Sequence, residues 1–82
     1  TIKNIHAAFV IAKTDEDYTS ISARSDGTIN VQIIMEKMQG GGHLTGAALQ
    51  RKNSNVQMLK EELSKEIDNY LKERENESNI EK

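Results

Sequence analysis

"MQGGGHLTGAALQ", Met38–Gln50, decides how this chain is read. Three consecutive glycines and a histidine lead into small residues and an apolar segment. Glycine loses more conformational freedom on folding than any other residue, so a triple run is costly unless the backbone needs it. Upstream, Val31, Ile34, Met35 and Met38 fall at i, i+3, i+4 and i+7 and form one apolar helical face, with Asn30 placed to act as N-cap. The helix is predicted to stop at the glycines. Downstream, "HLTGAALQ" lacks a clear period and suits either a strand or a short helix; we read it as a third strand.

Working outward, "HAAFVIAKT" (His6–Thr14) is an apolar run too short for an independent helix and bounded by the polar cluster "TDEDYT", which describes a buried strand. "TSISARS" places Ile21 and Ala23 between hydroxyl and charged positions, as a half-buried strand paired back on the first through a hairpin would. "SDGT" follows as a turn. After the loop "KNSN", Ser54 and Gln57 have capping-box spacing. Val56, Leu59, Leu63, Ile67, Tyr70 and Leu71 then hold one apolar stripe through about four turns. The expected architecture is α+β, a small mixed sheet of about three strands with two helices packed on it. It occupies residues 1–73, and residues 74–82 form a charged tail expected to be disordered.

Composition excludes several functions. The chain has 82 residues, one small domain that buries roughly 60–65% of its surface on folding and can lean on a partner. It has no cysteine, which rules out disulfides and thiolate metal sites and makes the cytosol the default compartment. The longest apolar run, Ala7–Ala12, falls far short of the roughly 20 residues needed to span a bilayer. A net charge of −2 argues against binding duplex nucleic acid, which needs a basic stripe, and three scattered aromatics (Phe9, Tyr18, Tyr70) make no base-stacking platform. Because the chain opens at Thr1 and enters a strand almost at once, we expect a domain taken from a longer protein.

Two places can carry chemistry. At Gly40, Gly41 and Gly42, a helix C-cap with a tight turn is the plainest reading, but one glycine suffices for that. Three leave backbone amides unshielded and able to converge on an anion in a concave nest, with His43 at the exit as a hydrogen-bond donor to phosphate. The other place is "SISARS", where Arg24, the only arginine in the first 50 residues, stands between the hydroxyls of Ser22 and Ser25. Its planar fork of donors matches two phosphate oxygens, though a strand-edge arginine solvating itself reads equally well. Asp15, Glu16 and Asp17 at a hairpin tip point their side chains in different directions, as a solvated turn does. His6 has no metal partner at ligand spacing, which gives it a core or strand-edge role.

"ISARS" followed by "GGGH" and a small-residue segment resembles the DHH-associated substrate-binding domain of the DHH phosphoesterase superfamily, over roughly Ala7–Gln50. Within it the segment is most similar to the C-terminal end of the GdpP/YybT-type cyclic-di-AMP phosphodiesterases of Firmicutes. The resemblance implies a parent hydrolase in which a separate DHH domain, absent here, holds two manganese ions and opens cyclic di-AMP to pApA. The associated domain grips phosphate and nucleotide. Carried over by position, the substrate-binding residues are Ser22, Arg24 and Ser25 with Gly40, Gly41, Gly42 and His43. Family members often have four glycines; here Gln39 stands in place of the first.

No catalytic residue, metal ligand or cofactor is expected in this chain, which should be inert alone. The expected partners are a cyclic dinucleotide or a short linear one such as pApA or nanoRNA, the parent DHH domain, and a second copy if the last helix serves as a dimerisation or docking surface. The expected location is cytoplasmic, within a parent carrying N-terminal membrane helices.

Overall fold

A computed structural model describes residues 6–81, with side chains through residue 75. Strands β1 (Ala7–Lys13) and β2 (Tyr18–Ser25) form the expected hairpin. Helix α1 (Val31–Lys37) follows, then β3 (Gly41–His43), β4 (Gly46–Lys52) and helix α2 (Val56–Glu81). The sheet has four strands in the order β1-β2-β4-β3, and every pairing is antiparallel. The α+β class stands, but the expected mixed, three-stranded sheet is a four-stranded antiparallel one. The added strand is the glycine run itself, whose three residues are too few to show a period.

Alternation divides the sheet into two unlike faces. Ile21 and Ala23 of β2 and Ala47 and Leu49 of β4 point to the inner face and are buried, while Ser22, Arg24 and Ala48 between them are exposed. Both helices cover the inner face. Val31, Ile34 and Met35 of α1 and Met38 at its C-cap are all buried there, as their spacing predicts, and α2 contributes Leu59 and Leu63 with Ile67 and Tyr70 partly buried. Val56 and Leu71, expected in the same stripe, are 42% and 45% exposed. They lie toward the two ends of the packed stretch.

Local hydrogen bonds set the helix ends. Asn30 caps α1 as expected, its Oδ1 accepting from the amides of Gln32 (3.0 Å) and Ile33 (3.3 Å). The cap of α2 is Asn55 rather than Ser54, since Asn55 Oδ1 accepts from the Met58 amide at 2.9 Å. Ser54 instead offers its carbonyl to the buried Thr19 hydroxyl at 3.0 Å. Arg51 joins three elements, donating to both carboxylate oxygens of Glu62 on α2 (3.0 and 3.1 Å) and to the Met38 carbonyl at the end of α1 (2.8 Å). That paired guanidinium holds the Glu62 carboxyl below the usual carboxylate range.

The α2 backbone stays helical through Glu81, although the apolar stripe ends near Leu71 and a disordered tail was expected over 74–82; Lys82 lies outside the described residues. No glycine or proline interrupts "ERENESNIE", and its several good helix formers let the helical backbone continue past the apolar stripe.

Helix α1 ends at Lys37, and Met38 and Gln39 separate it from the glycines. Gln39 takes a left-handed conformation, φ +69°, and the Gly40 amide returns to the Met35 carbonyl at 2.7 Å. A side chain in that conformation is strained, and Gln39 is exposed. Gln39→Gly is therefore expected to raise stability by about 0.5–1 kcal/mol, read as a rise of a few degrees in Tm. A lower Tm would mean that the glutamine side chain contributes a contact worth more than the strain.

Candidate functional site

The three glycines do different jobs. A Cβ on Gly40 would stand 2.5 Å from the Ala48 carbonyl oxygen, and one on Gly42, where φ is +148°, would press into the Ala47 backbone. Both are bare because β3 lies so close on β4. A Cβ on Gly41 would meet nothing within 4 Å. The run is thus drawn out as an extended edge strand rather than curled into an amide nest. Packing accounts for two of its glycines and leaves Gly41 unexplained.

The strand register brings the sequence candidates together. Arg24 pairs with Gly46 across β2 and β4, and Gly46 pairs with His43 across β4 and β3. Arg24, Gly46 and His43 therefore form one row on the outer face of the sheet. In the next row, two residues along, Ser22 pairs with Ala48 and Ala48 with Gly41. The open floor between the guanidinium and the imidazole exists because Gly46 carries no side chain. A Cβ there would lie 3.1 Å from His43 Cε1 and 3.6 Å from Arg24 Nη1. Arg24, Gly42, His43, Gly46 and Ala48 line a concavity of ≈ 490 Å³, within the range typical of small-ligand sites.

Charge favours an anion in this hollow. Arg24 donates to the carbonyl of its neighbour Ala23 at 2.9 Å, and no carboxylate among the described residues pairs with it. Its remaining donors are available to a ligand. His43 is exposed beside it. The groups are carried by a hydrogen-bonded sheet, which holds them in register without a ligand.

The other candidates fall around this row. Ser22 shares its face. The Ser25 side chain alternates to the opposite side, where its hydroxyl donates to the Leu44 carbonyl (3.2 Å) and accepts from the Gly27 amide (3.1 Å). The bond to Leu44 ties the end of β2 to the loop that follows His43. Gly40 packs against Ala48 and Leu49, outside the hollow's lining. Gly46 was missed, although a lone glycine inside a strand-like run is itself a sign of close approach. Among the described residues no group of three or more histidine, aspartate or glutamate side chains is placed to hold a metal ion.

An exposed arginine and histidine thus stand in register across one sheet face, beside a glycine edge strand. Residues 1–73 match the DHHA1 domain, and the chain belongs to that family. It is 46% identical over 71 residues to the cyclic-di-AMP phosphodiesterase GdpP of Bacillus subtilis, an alignment covering 87% of this chain and 11% of that protein. It is 44% identical over 72 residues to the cyclic-di-AMP phosphodiesterase PdeA of Listeria monocytogenes, covering 88% and 11%. A membrane protein–large ribosomal subunit bL9 fusion protein of Aster yellows witches'-broom phytoplasma is 50% identical over 62 residues, 76% of this chain and 7% of that one. The chain thus spans about a tenth of the length of the curated phosphodiesterases it matches.

Proposed function

We propose that this chain is the substrate-binding domain of a cyclic-di-AMP phosphodiesterase, and that it grips phosphate for a separate DHH catalytic domain carrying two manganese ions. The observation that supports the reading most is the Arg24–Gly46–His43 row, which sets a guanidinium and an imidazole on either side of a floor without side chains. The guanidinium fork would take two phosphate oxygens, and the His43 ring would donate to the same group from the β3 side. Ser22 and Gly41 stand in the neighbouring row of the same face, paired with Ala48, which lines the hollow.

Hydrolysis of a phosphodiester needs its charge held while a metal-bound water attacks, and paired metals supply both the nucleophile and the stabilisation of the leaving oxygen. No group of three or more histidine, aspartate or glutamate side chains among the described residues is placed to hold those metals; on this reading the chain's part is to bind and orient. On this reading the domain works on the cytoplasmic side of a membrane-anchored parent. No helix among the described residues is long and apolar enough to cross a membrane, so an anchor would come from elsewhere in that parent.

In the full-length parent, Arg24→Ala is expected to lower kcat/KM for cyclic di-AMP about 100-fold and His43→Ala about tenfold, with the unfolding transition unmoved. Unchanged kcat/KM in both variants would overturn the proposal. An exposed row that reads a phosphate rather than a closed ring also favours short linear substrates such as pApA or nanoRNA as a second reading. Competing hydrolysis of cyclic and linear dinucleotides by the parent separates the two.

A further inference from the structure

The outer face carries a second hollow beside the first. The Asp26 amide donates to the His6 carbonyl at 3.1 Å, which extends the β1–β2 ladder one step past the Ala7–Ser25 pair. Strand alternation then puts the side chains of His6 and Asp26 on the face of Ala8 and Arg24. With Ala7 and Ser25 from the adjoining strand ends, these four residues line an open concavity of ≈ 270 Å³ that shares Arg24 with the hollow at His43. Small residues flank the guanidinium in its own row, Ala8 toward β1 and Gly46 toward β4, so it is reachable from both sides.

The two hollows differ in charge. The one at His43 is lined by donors and small residues, without a carboxylate. In the other, Asp26 Oδ2 lies 2.9 Å from His6 Nδ1, and Oδ1 accepts from the Thr28 amide at 2.8 Å. The hydrogen bond with His6, helped by that from Thr28, holds the Asp26 carboxyl down at about 2, so it is ionised at neutral pH. An ionised carboxylate repels a second phosphate. It accepts readily from hydroxyl groups, and each of its oxygens retains acceptor capacity here. The bond at Nδ1 also fixes the plane of the His6 ring.

We propose that Asp26, braced by His6, is a ribose subsite: its carboxylate accepts a hydrogen bond from the 2′-hydroxyl of the nucleotide whose phosphate lies between Arg24 and His43. The inference rests on the phosphate-site reading above and adds a selectivity that Arg24 and His43 alone would not give, for ribonucleotides over deoxyribonucleotides. Acidic side chains serve the same purpose at the ribose of dinucleotide cofactors in other folds.

The test is an NMR titration of the chain with cyclic di-AMP and with its 2′-deoxy counterpart, for the wild type, Asp26→Ala and Asp26→Asn. The wild type is expected to bind the ribonucleotide about tenfold more tightly. Asp26→Ala should bring the ratio to about one by weakening the ribonucleotide alone, while resonances of Arg24 and His43 still shift with either ligand. Asp26→Asn, which keeps the shape and an acceptor for Thr28, should give an intermediate ratio. No preference in the wild type, or an unchanged ratio in the variants, would overturn the ribose subsite and leave the phosphate site standing. If neither ligand moves Arg24 or His43, the phosphate reading fails and the subsite falls with it.

Discussion

Gly46→Val is expected to abolish most dinucleotide binding, a loss of about 30-fold or more, while the domain stays folded. The position adopts ordinary strand backbone, and valine suits a strand better than glycine does, so the backbone has no reason to reject it. The obstruction falls on the far ends of two side chains, His43 Cε1 at 3.1 Å and Arg24 Nη1 at 3.6 Å from a Cβ, which can swing outward. Swinging outward separates the two groups that the proposed site brings to one phosphate, and a charge-assisted hydrogen bond lost on either side costs about 1.5–3 kcal/mol. Calorimetric titration with a parallel thermal melt reads both effects. Near-normal affinity in Gly46→Val would mean that the ligand does not use the space between guanidinium and imidazole.

The second large effect concerns folding. Gly42→Ala forces a Cβ into the Ala47 backbone and the Gly46 carbonyl at a φ of +148°, where side chains are rare, and neither obstacle is a flexible side chain. Relief requires β3 to move off β4. A cost of about 3 kcal/mol is expected, which lowers the Tm of a domain this small by roughly 12–24 °C. Gly41→Ala, one residue away, should leave Tm nearly unchanged, because nothing lies within 4 Å of its Cβ. It should weaken nucleotide binding instead if the ligand extends from the hollow onto the neighbouring row, where Gly41 pairs with Ala48. Equal melting temperatures for the two variants would mean that β3 is not clamped on β4 as described.

Much of this was legible in the sequence, for reasons that can be traced to particular residues. Val31, Ile34, Met35 and Met38 sit on one helical face because each had to find the core, and Asn30 caps that helix because its side-chain oxygen reaches two free amides. The hairpin followed from alternation around Ile21 and Ala23. What the pattern hid depends on tertiary approach. Gly40–Gly42 read as a possible nest because a glycine run carries no side-chain period, and only the closeness of β4 reveals that two of the three are spacers. Asn55 rather than Ser54 caps α2 because the helix starts at Val56, while Ser54 is tied through its carbonyl to Thr19, 35 residues away in sequence. Arg24 and His43 could be named from the motif they share with a family. That Gly46 lies between them is a matter of register, and register is not written in either motif.

The proposed site requires Arg24 and His43 to serve one anion. The most direct measurement is a titration of the chain with AMP, following the Arg24 guanidinium N–H and the His43 ring resonances together. Both should shift with the same midpoint, and Arg24→Ala should abolish the His43 response or weaken it about tenfold or more. A His43 response that persists at the same midpoint in Arg24→Ala, or an Arg24 shift without one at His43, would contradict a shared phosphate site.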